Sequence, residues 1–297
     1  MVIVRLLGGL GNQMFQYAAG RQLAAFHQTE LKLDVSFYRY RGQDHTYRNY
    51  GLRHLSVHPM FAQREEIVAI QGTPTAIVLR IASALNRRLN PFFREPFFSE
   101  TQVGPFKPEI WSTPRDVYLD GYWQSEKYFS DISGTVRREF AVRHELDVQN
   151  GEMAARIRDT QSVSVHVRRG DYVSDPTISL IHGTCGLDYY LRSIHVIADQ
   201  VVHPHFFVFS DDLVWAKENL RLDYPTTFVD HNNSDTCYED LRLMSLCRHN
   251  ITANSSFSWW GAWLNANPTK VVVAPKRWFR DASRDTRDLF PDGWITM

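Results

Sequence analysis

Short apolar runs, each followed by a helical pattern, recur along this chain. Residues 2–7, VIVRLL, predict a buried strand. The turn GGLGNQ leads into MFQYAAGRQLAAFHQ, where Phe15, Ala18, Ala19, Leu23 and Phe26 recur at helical spacing. ELKLDVS predicts a second strand ending at Asp34. Strand, glycine turn, helix and strand make a βαβ unit, which implies a parallel sheet. The alternation returns after residue 160. Strands SVSVHV, HFFVFS, TTFVD, NITAN and KVVVAP are separated by helical stretches LDYYLRSIHVIADQV, LVWAKENL, YEDLRLMSLCRH and SWWGAWLNA. Such a series predicts a doubly wound α/β domain.

Residues 40–115 carry many arginines, aromatics and prolines and weak periodicity. EEIVAI and AIVLRIASALNRRL predict helices, the second with Arg80, Arg87 and Arg88 beside an apolar face. A solvated helix face is the simpler reading of that segment, and peripheral attachment to a membrane surface the sharper one. DVYLDGYWQSEKYF predicts a strand, a turn and an aromatic helix start; VRREFAV and NGEMAARIRDT carry the chain to about residue 160, with Gly151 as a hinge. The expected architecture is two Rossmann-like α/β domains, residues 1–155 and 156–297, facing across a cleft.

Composition narrows the function. A formal net charge of +0 argues against a dedicated nucleic-acid binder, which would show a basic excess. Cys185, Cys237 and Cys247 are odd in number and widely spaced, so they outline neither a disulfide framework nor a metal site. The histidines show no HExxH spacing. No leader and no apolar run of membrane-spanning length stands out, so a cytoplasmic protein is expected, with the sequon at Asn254 incidental.

In open α/β sheets, ligands bind beyond the carboxyl ends of strands. Three unusual stretches fall at such ends: HVRRGD, FSDD and ANSSFS. Period two sets Val163, Val165 and Val167 on one face and Ser164, His166 and Arg168 on the other. Arg168 and Arg169 then stand at the strand exit, where planar guanidinium forks suit phosphate oxygens. Gly170 permits a sharp turn, and Asp171 could orient an arginine; an ordinary Arg–Asp pair at a turn is the plain alternative. Asn254, Ser255 and Ser256 fall at a helix start, where free amides and hydroxyls favour an anion; capping alone would explain them too. Trp259, Trp260 and Trp263 read as core. Asp240, in the first turn of a helix, is either a dipole partner or an acceptor for guanine N–H donors. Ser210, Asp211 and Asp212 could help lock a nucleoside, or cap the next helix.

GGLGNQMF is not a P-loop, because no Gly-Lys-Ser/Thr follows. It is not GxGxxG either: after Gly9 and Gly11 the third glycine position holds Met14. Asp34 does sit where a ribose-binding acid would, which keeps a dinucleotide enzyme as a weaker alternative. Asn12 and Gln13 have amides suited to sugar hydroxyls, unless the loop is a tight turn capped by Asn12.

Taken together, GGLGNQMFQYA, HVRRGDY, GYWQSEKYF, FSDD and NSSFSWWGAWL resemble bacterial α-1,2-fucosyltransferases of glycosyltransferase family 11. The arginine motif alone is shared with α-1,6- and protein O-fucosyltransferases. The resemblance implies a GT-B-like enzyme whose C-terminal domain holds GDP-fucose and whose N-terminal domain holds a galactose-ended acceptor. By the family pattern Arg168 contacts the diphosphate, His166 and Asp240 hold guanosine, and Ser255 and Ser256 hold phosphate oxygens. Arg169, Ser210, Asp211, Asn254 and Phe257 join the donor set; Gly9, Asn12, Gln13, Asp34 and Glu126 join the acceptor and donor-sugar loop. No cofactor beyond the co-substrate and no metal is expected, since the sequence holds no DxD. Asp171 and Asp175 stand as catalytic candidates beside Arg168, with Asp175, Asp34 and Glu126 as options for a general base and base-free catalysis as the alternative. The implied reaction is inverting transfer from GDP-β-L-fucose to the galactose 2-hydroxyl. The alternatives are another nucleotide-sugar transferase of the superfamily and a non-catalytic nucleotide- or glycan-binding protein.

Overall fold

A computed structural model describes residues 1–39, 49–71, 96–281 and 283–297. The arginine-rich stretch 76–89, and with it the membrane-surface reading, lies outside the described residues. The chain divides into two compact units.

The first unit comprises Met1–Leu52, Val57–Glu139 and Arg287–Leu289. It contains β1 (Val2–Arg5), α1 (Leu10–Phe26), β2 (Leu31–Asp34), β3 (Met60–Phe61), α2 (Arg64–Gln71), β4 (Phe97–Ser99), β5 (Val117–Asp120) and α3 (Ser133–Glu139). The strands form one parallel sheet in the order β3-β2-β1-β5-β4. Gly20 lets α1 lie close on this sheet, since a Cβ there would sit 2.9 Å from Leu31 Cδ1 and 3.2 Å from Val4 Cβ. Phe15, Ala18, Ala19 and Leu23 are buried as their spacing predicts, whereas Phe26 is exposed at the helix end, against His27 and Trp111.

The second unit comprises Arg53–Ser56, Phe140–Thr286 and Phe290–Met297. It contains α4 (Val148–Arg158), β6 (Gln161–Val167), α5 (Gly170–Ser174), α6 (Pro176–Ile181), α7 (Leu187–Ala198), β7 (Pro204–Ser210), α8 (Leu213–Asn219), β8 (Thr226–Phe228), α9 (Cys237–Leu246), β9 (His249–Ile251), α10 (Ser256–Leu264), β10 (Val272–Ala274) and β11 (Ile295–Thr296). All pairings are parallel, in the order β11-β10-β9-β6-β7-β8. Val163, Val165 and Val167 of β6 pack with Tyr190, Ile194 and Ile197 of α7 in the core. Both faces of β6 are buried, as expected for a central parallel strand. Trp259 and Trp260 are fully buried and Trp263 nearly so, which fits the core reading.

Two expectations shift. The division falls at Glu139/Phe140 rather than at residue 155, which lies inside α4. That helix packs on α9 and β6, so it belongs to the second unit. Gly151 is no hinge: Asp147 caps α4 by accepting from the Asn150 N–H at 2.8 Å, and the helix runs through the glycine.

Candidate functional site

The strand order locates a crevice in each unit. In the second, the chain runs outward from β6 to β7 and β8, then returns to β9 on the other side of β6. The switch point lies between β6 and β9, where ligands of open α/β sheets bind. The residues after β6 are Arg168 and Arg169, and those after β9 lead to Asn254 and Ser255. The folding order thus brings two of the three unusual stretches to one place.

Arg168 is largely buried and held between two carboxylates. Its Nη1 lies 2.8 Å from Asp211 Oδ2, and its Nη2 donates to Asp171 Oδ1. Burial opposes its charge, but Asp211 and Asp171 outweigh that and raise its pKa. Gly170 is required here: a Cβ would lie 2.4 Å from Asp211 Oδ2. Arg169 is turned away toward α8. Its Nε donates to Asp212 Oδ2 at 3.0 Å and its guanidinium lies 4.1 Å from the Trp215 ring centroid. Its backbone N–H donates to Asp211 Oδ1 at 2.8 Å. Asp212 also caps α8 through the Trp215 N–H, and Ser210 Oγ accepts from the Asp212 N–H, as the capping reading predicts.

His166 is buried on β6, and its Nδ1 has no hydrogen-bond partner. Burial, and secondarily the Arg168 charge, push its pKa down to about 3, so the ring is neutral throughout the physiological range. The Phe257 ring lies 5.6 Å away, which joins the end of β6 to the start of α10. Tyr172 makes a second join: its ring lies 5.2 Å from the Arg168 guanidinium and its hydroxyl donates to the Asn254 carbonyl at 3.2 Å.

Ser255 occupies the N-cap of α10, yet no side chain caps that helix. Ser258 Oγ instead accepts from the Ala253 N–H at 3.2 Å and donates to the Ser255 carbonyl. Capping therefore does not consume the Ser255 hydroxyl, and Ser256 follows in the first turn. Asn254 has a structural task. Its Nδ2 donates to the carbonyls of His182, Gly183 and Trp278 at 3.1–3.2 Å, and its Oδ1 accepts from Cys185. The side chain is spent on stitching loops together and is not available to a ligand.

Asp240 belongs to a second polar network at the start of α9. Its Oδ1 accepts from Asn232 Nδ2 at 2.7 Å. Asn232 exchanges bonds with Asn150, whose Nδ2 also reaches Asp147. Burial pushes the Asp240 pKa up to about 7; the Asn232 bond opposes this and Glu239 adds to it. Asp175 caps α6, with Oδ1 accepting from the Thr177 and Ile178 N–H groups.

In the first unit the switch point lies between β1 and β5. GGLGNQ follows β1, and GYWQS follows β5. Gly9, not Asn12, is the N-cap of α1, and Gly8 supplies the left-handed turn at φ 77°. Asn12 Oδ1 accepts from Gln124 Nε2 at 2.9 Å, tying the two motifs together. Gln16 makes a further tie, accepting from the Leu7 N–H and donating to the Gly121 carbonyl. Gln13 is fully buried: it donates to the Gly8 and Asn49 carbonyls and accepts from the Gly51 N–H, which spends its amide on the fold. Asp34 is buried too, accepting from the Tyr118 hydroxyl at 2.6 Å and the Ser36 N–H at 2.9 Å. Glu126 is half-exposed in the short helix Glu126–Tyr128, and its charge acts on Arg137. Trp123 is buried with φ 56°, a conformation that costs about 1–3 kcal/mol. Glu100 holds that bend, accepting from the Tyr122 and Trp123 N–H groups at 3.0 and 2.8 Å.

Sequence reasoning did not single out Tyr172, Gln124 or Asn232. Tyr172 stands inside HVRRGDY and Gln124 inside GYWQSEKYF, and only the structure gives their partners. Nothing local in HNNSD points from Asn232 to Asp240. Among the described residues no group of three or more His, Cys, Asp or Glu side chains could hold a metal ion, and no helix is long and apolar enough to cross a membrane.

Comparison with known proteins identifies the family. The family model for glycosyl transferase family 11 matches residues 1–297. An alpha-1,2-colitosyltransferase of Escherichia coli is 35% identical over 309 residues, covering 100% of this chain and 99% of that protein. The O-antigen biosynthesis glycosyltransferase WbnK of Escherichia coli is 32% identical, covering 98% of this chain and 99% of the other. The human galactoside alpha-(1,2)-fucosyltransferase 1 is 28% identical over 59% of this chain and 50% of its own. A mutant of Arabidopsis thaliana FUT1, solved in complex with GDP, superposes with a TM-score of 0.51 at 13% identity, covering 91% of this chain and 69% of that one; this likeness is one of fold, and the fold is GT-B-like. With the family match running from end to end, this chain belongs to glycosyl transferase family 11.

Proposed function

We propose that this enzyme transfers L-fucose from GDP-β-L-fucose to the 2-hydroxyl of a terminal galactose, giving an α-1,2 linkage. The observation that carries the reading is Arg168 at the exit of β6, linked through Tyr172 to the uncapped start of α10. A guanidinium, the N–H groups of a helix start that no side chain caps and the Ser255 hydroxyl meet there, as a departing diphosphate requires. The neutral His166 and the acceptor Asp240 suit a guanosine.

In this reaction the acceptor oxygen forms a bond to the anomeric carbon from the face opposite the diphosphate. The carbon–oxygen bond to phosphate breaks, its electron pair leaves with GDP, and the hydroxyl proton passes to a base. The transition state is oxocarbenium-like, by analogy with glycoside hydrolysis. Charge builds on the diphosphate, where fixed donors lower the barrier most. Asp34 is too enclosed by Tyr118 and Ser36 to meet an acceptor, and Asp171 is committed to Arg168. Asp175 and Glu126 remain as base candidates. Loss of the acidic limb of the pH–rate profile in Asp175→Asn or Glu126→Gln identifies the base; an intact limb in both removes both.

One relative favours a second donor. The similarity to an alpha-1,2-colitosyltransferase spans the whole chain, and colitose lacks one hydroxyl that fucose carries. A site that hydrogen-bonds that hydroxyl would reject the deoxy sugar by about 10⁴–10⁵-fold. Incubation with lactose and either GDP-fucose or GDP-colitose, with and without EDTA, followed by linkage analysis, tests both. The reading expects an α-1,2-fucoside in either buffer. Exclusive use of GDP-colitose transfers the proposal to the second donor, and no transfer from either overturns it.

A further inference from the structure

The arginine motif carries less positive charge than its sequence suggests. Arg168 and Arg169 face Asp171, Asp211 and Asp212 at ion-pair distance. Two guanidinium groups against three carboxylates leave this cluster net negative, a poor receptor by itself for a diphosphate. A further cation is needed at the same edge of the sheet.

Residues 277–281 and 283–286 supply one. Asn254 holds the Trp278 carbonyl next to those of His182 and Gly183, and the Arg280 N–H donates to the Ile181 carbonyl at 2.9 Å. This stitching sets the segment beside the start of α10. A row of rings then runs from the arginine motif: Tyr172 stacks on His182 at 4.8 Å, His182 lies 5.4 Å from Phe279, and the Arg284 guanidinium lies 4.7 Å from the Phe279 centroid. Among the described residues no carboxylate lies within ion-pair distance of Arg284. Its Nε is buried without a hydrogen-bond partner, and so is His182 Nδ1. Arg284, Asp171 and Arg168 all act on the His182 charge, which places the four groups in one neighbourhood; burial first, then Arg284, pushes the His182 pKa down to about 4. Asp281 is the nearby acid: its Oδ1 accepts from the Ser283 N–H and hydroxyl, and it feels the Arg284 charge from beyond ion-pair distance.

We infer that Arg284, braced on Phe279 and beside His182, is a second guanidinium for the diphosphate of the nucleotide-sugar donor. The inference rests on the donor reading above and extends it to a residue outside the five motifs. Unpaired buried donors are costly unless a ligand satisfies them, and a nucleoside diphosphate offers the acceptors that Arg284 Nε and the neutral His182 ring lack.

Titration calorimetry of the full chain with GDP and with guanosine tests this. Arg284→Ala should weaken GDP binding by about tenfold to a hundredfold, the loss typical of a hydrogen bond to a charged group, and leave guanosine binding unchanged. Arg284→Gln removes the charge and the guanidinium but keeps the side-chain stem and a polar end, and should lose GDP affinity to a similar degree; it serves if the alanine variant folds poorly. GDP affinity equal to wild type in a folded variant, or an equal loss for guanosine, overturns the inference while the donor reading stands. Wild-type protein that does not bind GDP overturns the donor reading itself.

Discussion

Arg168 and Asp240 do different work, and each makes its own prediction. Arg168 is aimed by two carboxylates and an aromatic ring, so its donors are fixed before any substrate arrives. Removing one such donor where charge develops costs about 100- to 1,000-fold in rate. Arg168→Ala should show that loss in transfer rate and remain folded; wild-type turnover by the folded variant contradicts the role. Asp240 is half-protonated near neutrality, because burial raises its pKa to about 7. Guanine N–H donors need the ionised carboxylate. GDP affinity should therefore rise as pH rises through about 7 and level off above it, with a proton released on binding below that value. Asp240→Asn should bind GDP weakly with no such pH step. An unchanged step in the variant would assign it to another group.

At the scale of elements, two helix starts that look alike in sequence behave differently. Asp175 caps α6 with real hydrogen bonds, whereas Ser255 sits at the N-cap of α10 and caps nothing. Asp175→Ala should lower unfolding stability by about 1 kcal/mol. Ser255→Ala should cost well under that and instead weaken GDP binding, measured by denaturant unfolding and calorimetry on the same samples. The reverse pattern would make Ser255 a cap and nothing more. The parallel strands were legible because apolar runs alternate with helical periods, and the arginines and serines were legible because they end those runs. β3, β4 and β11 escaped notice, since two or three residues carry no period. The commitments of Asn254, Gln13 and Asp34 were also hidden: each has a side chain suited to a ligand, and only long-range partners such as Trp278, Asn49 and Tyr118 show that the fold uses it.

For the molecule as a whole, zero net charge hides a local device. Arg5 pairs with Asp120 at the ends of β1 and β5, and Arg168 and Arg169 pair with Asp171, Asp211 and Asp212 at the exits of β6 and β7, so opposite charges gather close to the switch points of both sheets. The domain boundary was misread by pattern alone, because the first helix of the second unit precedes the first strand of its sheet. A ligand that binds only the folded chain raises its melting temperature. GDP should do so at concentrations where UDP does not, and equal shifts by the two would remove guanine recognition from the account. The most direct test is a crystal structure of the full-length protein with GDP. The account predicts both phosphates against Arg168 and the start of α10, with the base reaching Asp240; nucleotide bound away from the exits of β6 and β9 would contradict it.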